Sequence, residues 1–242
     1  VKIKNRKSRI EDYKIESIWE NQNLSQKDLK KLHSFFWLFT IDLKSSKKIT
    51  RSVISNWTNF NENYSFKSWE LDTLSKRIIA WIANSNNFYH DGDENFKINF
   101  TKIIKKQLNH LINEIENTEH VNDKMIGCSA IIIGGLCFKY QMQYLNIGLQ
   151  LLEKIINTIF DNDGFPKSRN PRQVIFYLKY LVFIRELLRD SNTNIPEYLN
   201  EIIFYLGQSF DFYFEENNCT FLFNGNHNLD ITDFKKYLRE HG

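Results

Sequence analysis

Apolar residues recur every three or four positions along most of the chain, which is the spacing of one helix face. This pattern predicts about nine helices joined by short polar connections. The predicted helices cover residues 24–43, 49–60, 69–84, 95–115, 124–138, 144–160, 171–188, 197–214 and 231–240. No alternation of strands with helices occurs, so we predict an all-α fold, either an α/α toroid or an irregular helical array. We expect a single domain over residues 25–242, preceded by a polar lead-in over residues 1–24.

The segment 124–138 is apolar on nearly every side, which predicts a buried, central helix. Gly127, Gly134 and Gly135 lower the helix propensity of this segment. Glycines in such a helix make sense where a neighbour approaches the backbone closely. We therefore expect another helix or a ligand to lie against this segment.

A polar, basic loop meets an apolar helix within residues 163–188. We expect Asn170 to cap this helix and Pro171 to occupy its first position. The cations at this boundary are Lys167, Arg169 and Arg172. A helix N-terminus also bears partial positive charge, so this boundary should attract a carboxylate or a sulfate. The structural alternative is that Arg169 caps a neighbouring helix C-terminus or pairs with Asp163.

Composition narrows the classes of function. The 32 Lys and Arg residues against 29 Asp and Glu give a net charge of +3, which is small for a nucleic-acid-binding domain. An aromatic content of 15% is compatible with a groove that stacks sugars. No apolar stretch is long enough to predict a membrane span. Because the chain begins with Val rather than Met, we expect it to be a segment of a longer protein.

Motifs for metals and cofactors are not evident in the sequence. The 6 histidines form no HExxH or HxH, and the 3 cysteines form no CxxC. We therefore predict no metal and no cofactor. We expect His33 and His110 at the surface or the core edge, and Cys128 and Cys137 as buried thiols. A loop that is either a plain turn or a hydrogen-bonding site contains Asn224, Asn226 and His227.

Four segments are informative together, and they read WELDTLSKRIIAWI (69–82), NDKMIGCSAIIIGGLCF (122–138), DGFPKSRNP (163–171) and LFNGN (222–226). In this order they resemble stretches of the heparinase II/III-like polysaccharide lyases. The resemblance covers roughly residues 30–226 and implies an α/α toroid, here an incomplete ring of helical hairpins. In that family C-terminal β domains follow the toroid, and we expect them to be absent from this chain.

The resemblance also implies binding of a uronic-acid polysaccharide and its cleavage by β-elimination. Asn122 matches the family Asn that neutralises the substrate carboxylate, and Arg169 matches the Arg of the family's R-S-P motif. These two are the candidate catalytic residues. The candidate substrate-binding residues are Lys167, Asn170, Arg172, Gln173, Asn224, Asn226 and His227.

The chain departs from the family pattern at the residues for proton transfer. Gln173 and Val174 stand where the family has Tyr–His, and Asp123 stands in place of a family His. A glutamine cannot exchange protons usefully near neutral pH. Tyr140 and Tyr177 are the candidate replacements.

Three functions are therefore considered. The first is the helical domain of a heparinase II/III-like lyase, which we expect to be inactive or very weak alone because half of the cleft belongs to the β domain. The second is a non-catalytic protein for acidic-glycan binding or envelope assembly, and the third is a helical scaffold for protein interaction. The expected partners are an acidic polysaccharide or oligosaccharide and the β domain of the same longer protein, without nucleic acid. The resemblance is compatible with the periplasm or the cell envelope of a bacterium, and the sequence does not distinguish these compartments from the cytoplasm.

Overall fold

This computed structural model describes residues 16–19, 24–44, 46–138, 142–161, 163–214 and 231–241. The regular secondary structure of these residues is helical. The helices are α1 (Glu16–Trp19), α2 (Gln26–His33), α3 (Lys47–Asn61), α4 (Phe66–Trp69), α5 (Leu71–Ala83), α6 (Glu94–Glu114), α7 (Val121–Cys137), α8 (Met142–Ile159), α9 (Pro171–Asp190), α10 (Glu197–Tyr213) and α11 (Thr232–His241). Short 3₁₀ turns cover Phe36–Thr40, Ser85–Asn87 and Ile115–Asn117. The all-α prediction is confirmed for this part of the chain. Within it, every helix is too short or too polar to cross a bilayer.

Side-chain caps begin several of these helices. The Ser25 side chain accepts the backbone N–H of Asp28 at the start of α2, and the Asn170 side chain accepts that of Arg172 at the start of α9. Each cap satisfies a backbone donor that has no partner inside the helix. Pro171 occupies the first position of α9, where its missing N–H costs nothing. The cap at Asn170 and the position of Pro171 were predicted from the sequence, and both are confirmed.

The predicted continuous helix over residues 24–43 is wrong. α2 ends at His33, and Phe35 has a φ of 54° before the 3₁₀ turn begins. The Phe35 ring is fully buried and packs edge-on against Trp57 and Trp81, at centroid distances of 6.1 and 5.1 Å. A continuous helix would move this ring, so tertiary packing overrides the local helical pattern here.

Two predicted environments are also corrected. His33 is buried rather than at the surface or core edge, and its Nδ1 accepts the Trp57 indole N–H at 3.0 Å. Burial, helped by the nearby Arg77 charge, lowers the pKa of His33 to about 4, so the ring is neutral at physiological pH. Cys137 is exposed rather than buried, because it is the last residue of α7, whereas Cys128 is buried as predicted.

The chain divides into two compact units, Val1–Ile115 and Glu116–Gly242. In the first unit, α5 packs against α2, α4 and α6, and α3 packs against α1 and α6. In the second unit, α7 packs against α8 and α9, and α10 packs against the same two helices. The candidate site residues that the structure describes belong to the second unit.

A buried cation organises the first unit. Arg77 on α5 is 0% exposed, and its Nη1 donates to the carbonyl oxygens of His33 and Ser68 at 2.9 and 2.8 Å. Its Nε donates to Oε1 of Gln107 at 2.8 Å, and its guanidinium lies 4.0 Å from the centroid of the Trp57 ring. Burying a cation is costly unless hydrogen bonds and an aromatic face replace its hydration. Arg77 therefore ties α2, α4 and α6 to α5.

A carboxylate at position 107 should fit the surroundings of Arg77 better than the Gln107 amide does. Nη2 of Arg77 and Nε2 of Gln107 are buried donors with no acceptor among the described residues. A carboxylate at position 107 can accept from both edge nitrogens of the guanidinium and compensate its charge. We predict that Gln107→Glu stabilises the protein at pH 7 by about 1–3 kcal/mol, measured by thermal denaturation. Gln107→Leu should destabilise it, and a Gln107→Glu protein less stable than the wild type contradicts the assignment.

In the second unit, α7 and α8 approach so closely that glycine is required. A Cβ on Gly135 would lie 2.5 Å from the backbone nitrogen of Leu145, and one on Gly148 would lie 2.7 Å from Cγ1 of Ile132. The Cys128 thiol donates to the Gly148 carbonyl oxygen at 3.2 Å within the same interface. The expected close neighbour of the glycine-containing helix is confirmed, and it is α8.

The close approach can be tested with alanine substitutions at two helical glycines. We predict that Gly135→Ala destabilises the protein by about 1–3 kcal/mol, because the new methyl group meets the backbone of Leu145. Gly207 on α10 has nothing within 4 Å of its potential Cβ. Gly207→Ala should therefore stabilise the protein by about 1 kcal/mol through helix propensity alone. Urea denaturation measures both changes in stability. Equal effects of the two substitutions would contradict the close approach of α7 and α8 at Gly135.

Candidate functional site

The loop between α8 and α9 folds around one carboxylate. Oδ1 of Asp161 accepts the backbone N–H groups of Asp163 at 3.1 Å and of Phe165 at 2.9 Å. Gly164 has a φ of 76° and lies directly against the Tyr205 side chain of α10, where a Cβ would not fit. These contacts give the polar loop a defined conformation despite its exposure.

Arg169 is anchored to the same carboxylate. Its Nη2 lies 2.6 Å from Oδ2 of Asp161, and its guanidinium lies 5.4 Å from the centroid of the Phe165 ring. The side chain remains 52% exposed, so its cation faces water on one side. Arg169 therefore pairs with Asp161, whereas Asp163 was the partner considered from the sequence. Its φ of 54° is unusual for a residue with a side chain.

Opposing effects act on the Asp161 carboxyl. Burial by itself would raise its pKa, but the Phe165 N–H, the Arg169 charge and the Asp163 N–H all favour the ionised form. The net result is a lowered pKa. A lowered folded-state pKa means that the charge stabilises the fold above the unfolded pKa of about 3.9. This contribution is lost as the pH falls through the folded-state pKa.

The dependence of stability on the Asp161 charge can be tested with Asp161→Asn. The amide keeps an acceptor for Phe165 but lacks the charge that binds Arg169, so we expect a lower melting temperature at pH 7. The difference from the wild type should begin to shrink below about pH 4, where Asp161 of the unfolded chain becomes protonated, and should continue to shrink towards the lower pKa of the folded state. Thermal denaturation between pH 7 and pH 3 measures this, with the exposed Asp163→Asn as control. A difference that is constant over this range contradicts the role given to the Asp161 charge.

The other predicted residues of this loop contribute mainly to its structure. The Lys167 ammonium donates to the Thr158 carbonyl oxygen at 2.9 Å near the end of α8, which is the helix-capping role first considered for Arg169. Asn170 caps α9, and the Gln173 side chain accepts the Ser168 hydroxyl. Arg172 is exposed on the first turn of α9.

Asn122 lies on the first turn of α7 and contacts α9. The Tyr177 hydroxyl donates to Oδ1 of Asn122 at 3.0 Å, and Asn122 is otherwise exposed. Tyr177 is 2% exposed, and its ring packs edge-on against Phe160 at a centroid distance of 5.4 Å. Burial raises the pKa of Tyr177 to about 12, so its hydroxyl stays protonated at neutral pH.

These contacts connect the two candidate catalytic residues. Asn122 is bonded to Tyr177, Tyr177 packs on Phe160, and Phe160 precedes Asp161, which holds Arg169. From the sequence, Tyr177 was considered only as a replacement for the family's proton-transfer residues. The D-x-D-G pattern at 161–164 could have indicated an Asx turn around Asp161.

The remaining predicted residues lie either outside the described part of the chain or in the core. The candidate substrate-binding residues Asn224, Asn226 and His227, and the alternative tyrosine Tyr140, lie outside the described residues. Val174, at one of the family's proton-transfer positions, is buried in α9. In the part of the chain that is described, no three His, Cys, Asp or Glu side chains are grouped as a metal site requires.

Comparisons of the chain with protein-family models, with curated proteins and with solved structures found no match.

Proposed function

We propose that this chain is the helical part of a heparinase II/III-like protein and that its second unit binds an acidic polysaccharide. The proposal includes an α/α toroid arrangement and a β domain supplied by a longer form of the protein. Asn122 and Arg169 are the groups that bind the uronic-acid carboxylates.

The observation that supports this proposal most is the set of contacts joining Asn122 to the α8–α9 loop. The two residues are separated by 47 positions in the sequence, yet Tyr177, Phe160 and Asp161 link them within one unit. The resemblance implied a shared site for Asn122 and Arg169, and this set of contacts is compatible with one.

The chemistry of the two groups suits a carboxylate ligand. The Asn122 amide can donate hydrogen bonds, and the Arg169 guanidinium offers a charged, planar set of donors. Arg169 is already paired with Asp161, so the loop holds the cation in place before a ligand arrives. A pre-positioned donor loses less conformational entropy on binding than a free side chain does.

A second candidate is a binding protein without turnover, and the proton-transfer positions favour it. Gln173 is bonded to Ser168, and Val174 is buried. Tyr177, with a pKa of about 12, is a poor base at neutral pH and already donates to Asn122. Acidic-glycan binding is therefore better supported than β-elimination.

Replacing Arg169 by glycine tests the binding site. Glycine adopts the φ of 54° without strain, so the change removes the cation while the backbone keeps its conformation. We predict at least about tenfold weaker binding of oligogalacturonate or oligoglucuronate, measured by calorimetry, with a weaker salt dependence. Arg189 is the matched control, because it is 54% exposed and paired with Glu186 on the same helix. Arg189→Ala should bind the oligosaccharides normally. Equal losses of affinity in both variants would show that only the net charge matters.

Turnover separates the two candidate functions. β-Elimination produces an unsaturated uronate that absorbs in the ultraviolet, so the same oligosaccharides report cleavage directly. Measured on the longer form of the protein that includes the proposed β domain, binding without new absorbance supports the non-catalytic function. Absorbance that depends on Asn122 supports a lyase. The absence of binding to every uronic-acid probe, with correctly folded protein, rejects the acidic-glycan proposal.

A further inference from the structure

We infer that Tyr177 is a positioning residue that turns the Asn122 amide so that it offers only hydrogen-bond donors to a ligand. This inference rests on the proposed function, because it concerns the group that would meet the carboxylate. It assigns to Tyr177 the selection between acidic and neutral sugars, and not a proton transfer.

The geometry of a carboxamide supports the assignment. Oδ1 of Asn122 accepts the Tyr177 hydroxyl at 3.0 Å. In a planar amide the oxygen and the nitrogen are separate branches of the trigonal Cγ, so an oxygen held by Tyr177 directs the nitrogen away from that hydroxyl. Asn122 is exposed and lies on the first turn of α7, so its amide nitrogen is accessible to a ligand.

The surroundings of Tyr177 keep the hydroxyl in place. Its ring is buried between Phe160 and Phe176, with centroid distances of 5.4 and 5.3 Å. Removal from water strongly favours the neutral phenol, which still has a proton to donate. A buried phenol without an acceptor would be costly, so the bond to Asn122 is favoured whether or not a ligand is present.

Selectivity follows from this arrangement. A free amide can rotate to present either its oxygen or its nitrogen, and so it can bind an acceptor or a donor. An amide held by Tyr177 presents its nitrogen, so the matching ligand group must accept hydrogen bonds. A carboxylate is a strong acceptor, whereas a sugar hydroxymethyl group in the same place is a weaker, neutral one.

The experiment compares two probes, a uronic-acid tetrasaccharide and its carboxyl-reduced neutral counterpart, on the 242-residue chain. The wild type should prefer the acidic probe, and Tyr177→Phe should reduce this preference about fivefold while binding of the neutral probe is unchanged. In an Asn122→Ala background, Tyr177→Phe should have no further effect on the preference.

Tyr198 provides a matched control. Its hydroxyl donates to the Leu149 carbonyl oxygen at 3.0 Å in the same unit, and burial also raises its pKa to about 12. Tyr198→Phe removes an equivalent hydroxyl elsewhere and should leave the preference intact. Thermal melting and circular dichroism monitor the fold of each variant.

The outcomes distinguish the positioning role of Tyr177 from the proposed binding of an acidic polysaccharide. If the wild type prefers the acidic probe and Tyr177→Phe keeps this preference, the positioning role fails while the proposed function stands. Equal weakening of both probes by Tyr177→Phe shows a general structural effect and also overturns the inference. A wild type that binds neither probe, or both equally, rejects the proposed function and the inference together.

Discussion

The close approach of α7 and α8 is the constraint on which the second unit depends. At Gly135 the backbone of α8 occupies the space that a side chain would need. α7 also packs against α9, so its placement determines where Asn122 on its first turn can lie. A bond such as Tyr177–Asn122 requires that both helices be held to within a few tenths of an ångström. The glycine contact is thus a structural condition for the candidate site, although it lies at the other end of α7.

The first unit depends on a different feature, a full positive charge that is buried in its core. Arg77 has carbonyl oxygens, an amide and an indole face around it, and no carboxylate of the described residues pairs with it. Backbone carbonyls at the end of α2 and in α4 can serve as acceptors only when those helices stop at the right place. The contacts of Arg77 therefore couple the positions of α2, α4, α5 and α6.

The candidate site combines a rigid support with an exposed polar surface. Asp161 accepts two backbone N–H groups and Arg169, so a loop without regular structure has one preferred conformation. Tyr177 gives similar support to Asn122 from the buried side of α9. Both proposed ligand-binding groups are held by partners that a ligand need not contact, an arrangement that suits a binding site on a helical scaffold. At the proton-transfer positions, Gln173 is bonded to Ser168 and Val174 is buried, so neither side chain can serve as an acid or a base, which favours the proposed binding over cleavage.

The sequence by itself determined most of the long helices, the cap at Asn170 and the close neighbour of the glycine-containing helix. These features depend on residue spacing and on local hydrogen bonds, which neighbouring residues in the chain determine. Only the tertiary structure decided the break at Phe35, the burial of His33 and the choice of Asp161 as the partner of Arg169. The Tyr177–Asn122 bond joins residues on different helices, and periodicity carries no information on such pairs. Through-space contacts depend on how the helices pack, and packing involves the whole core rather than any one segment.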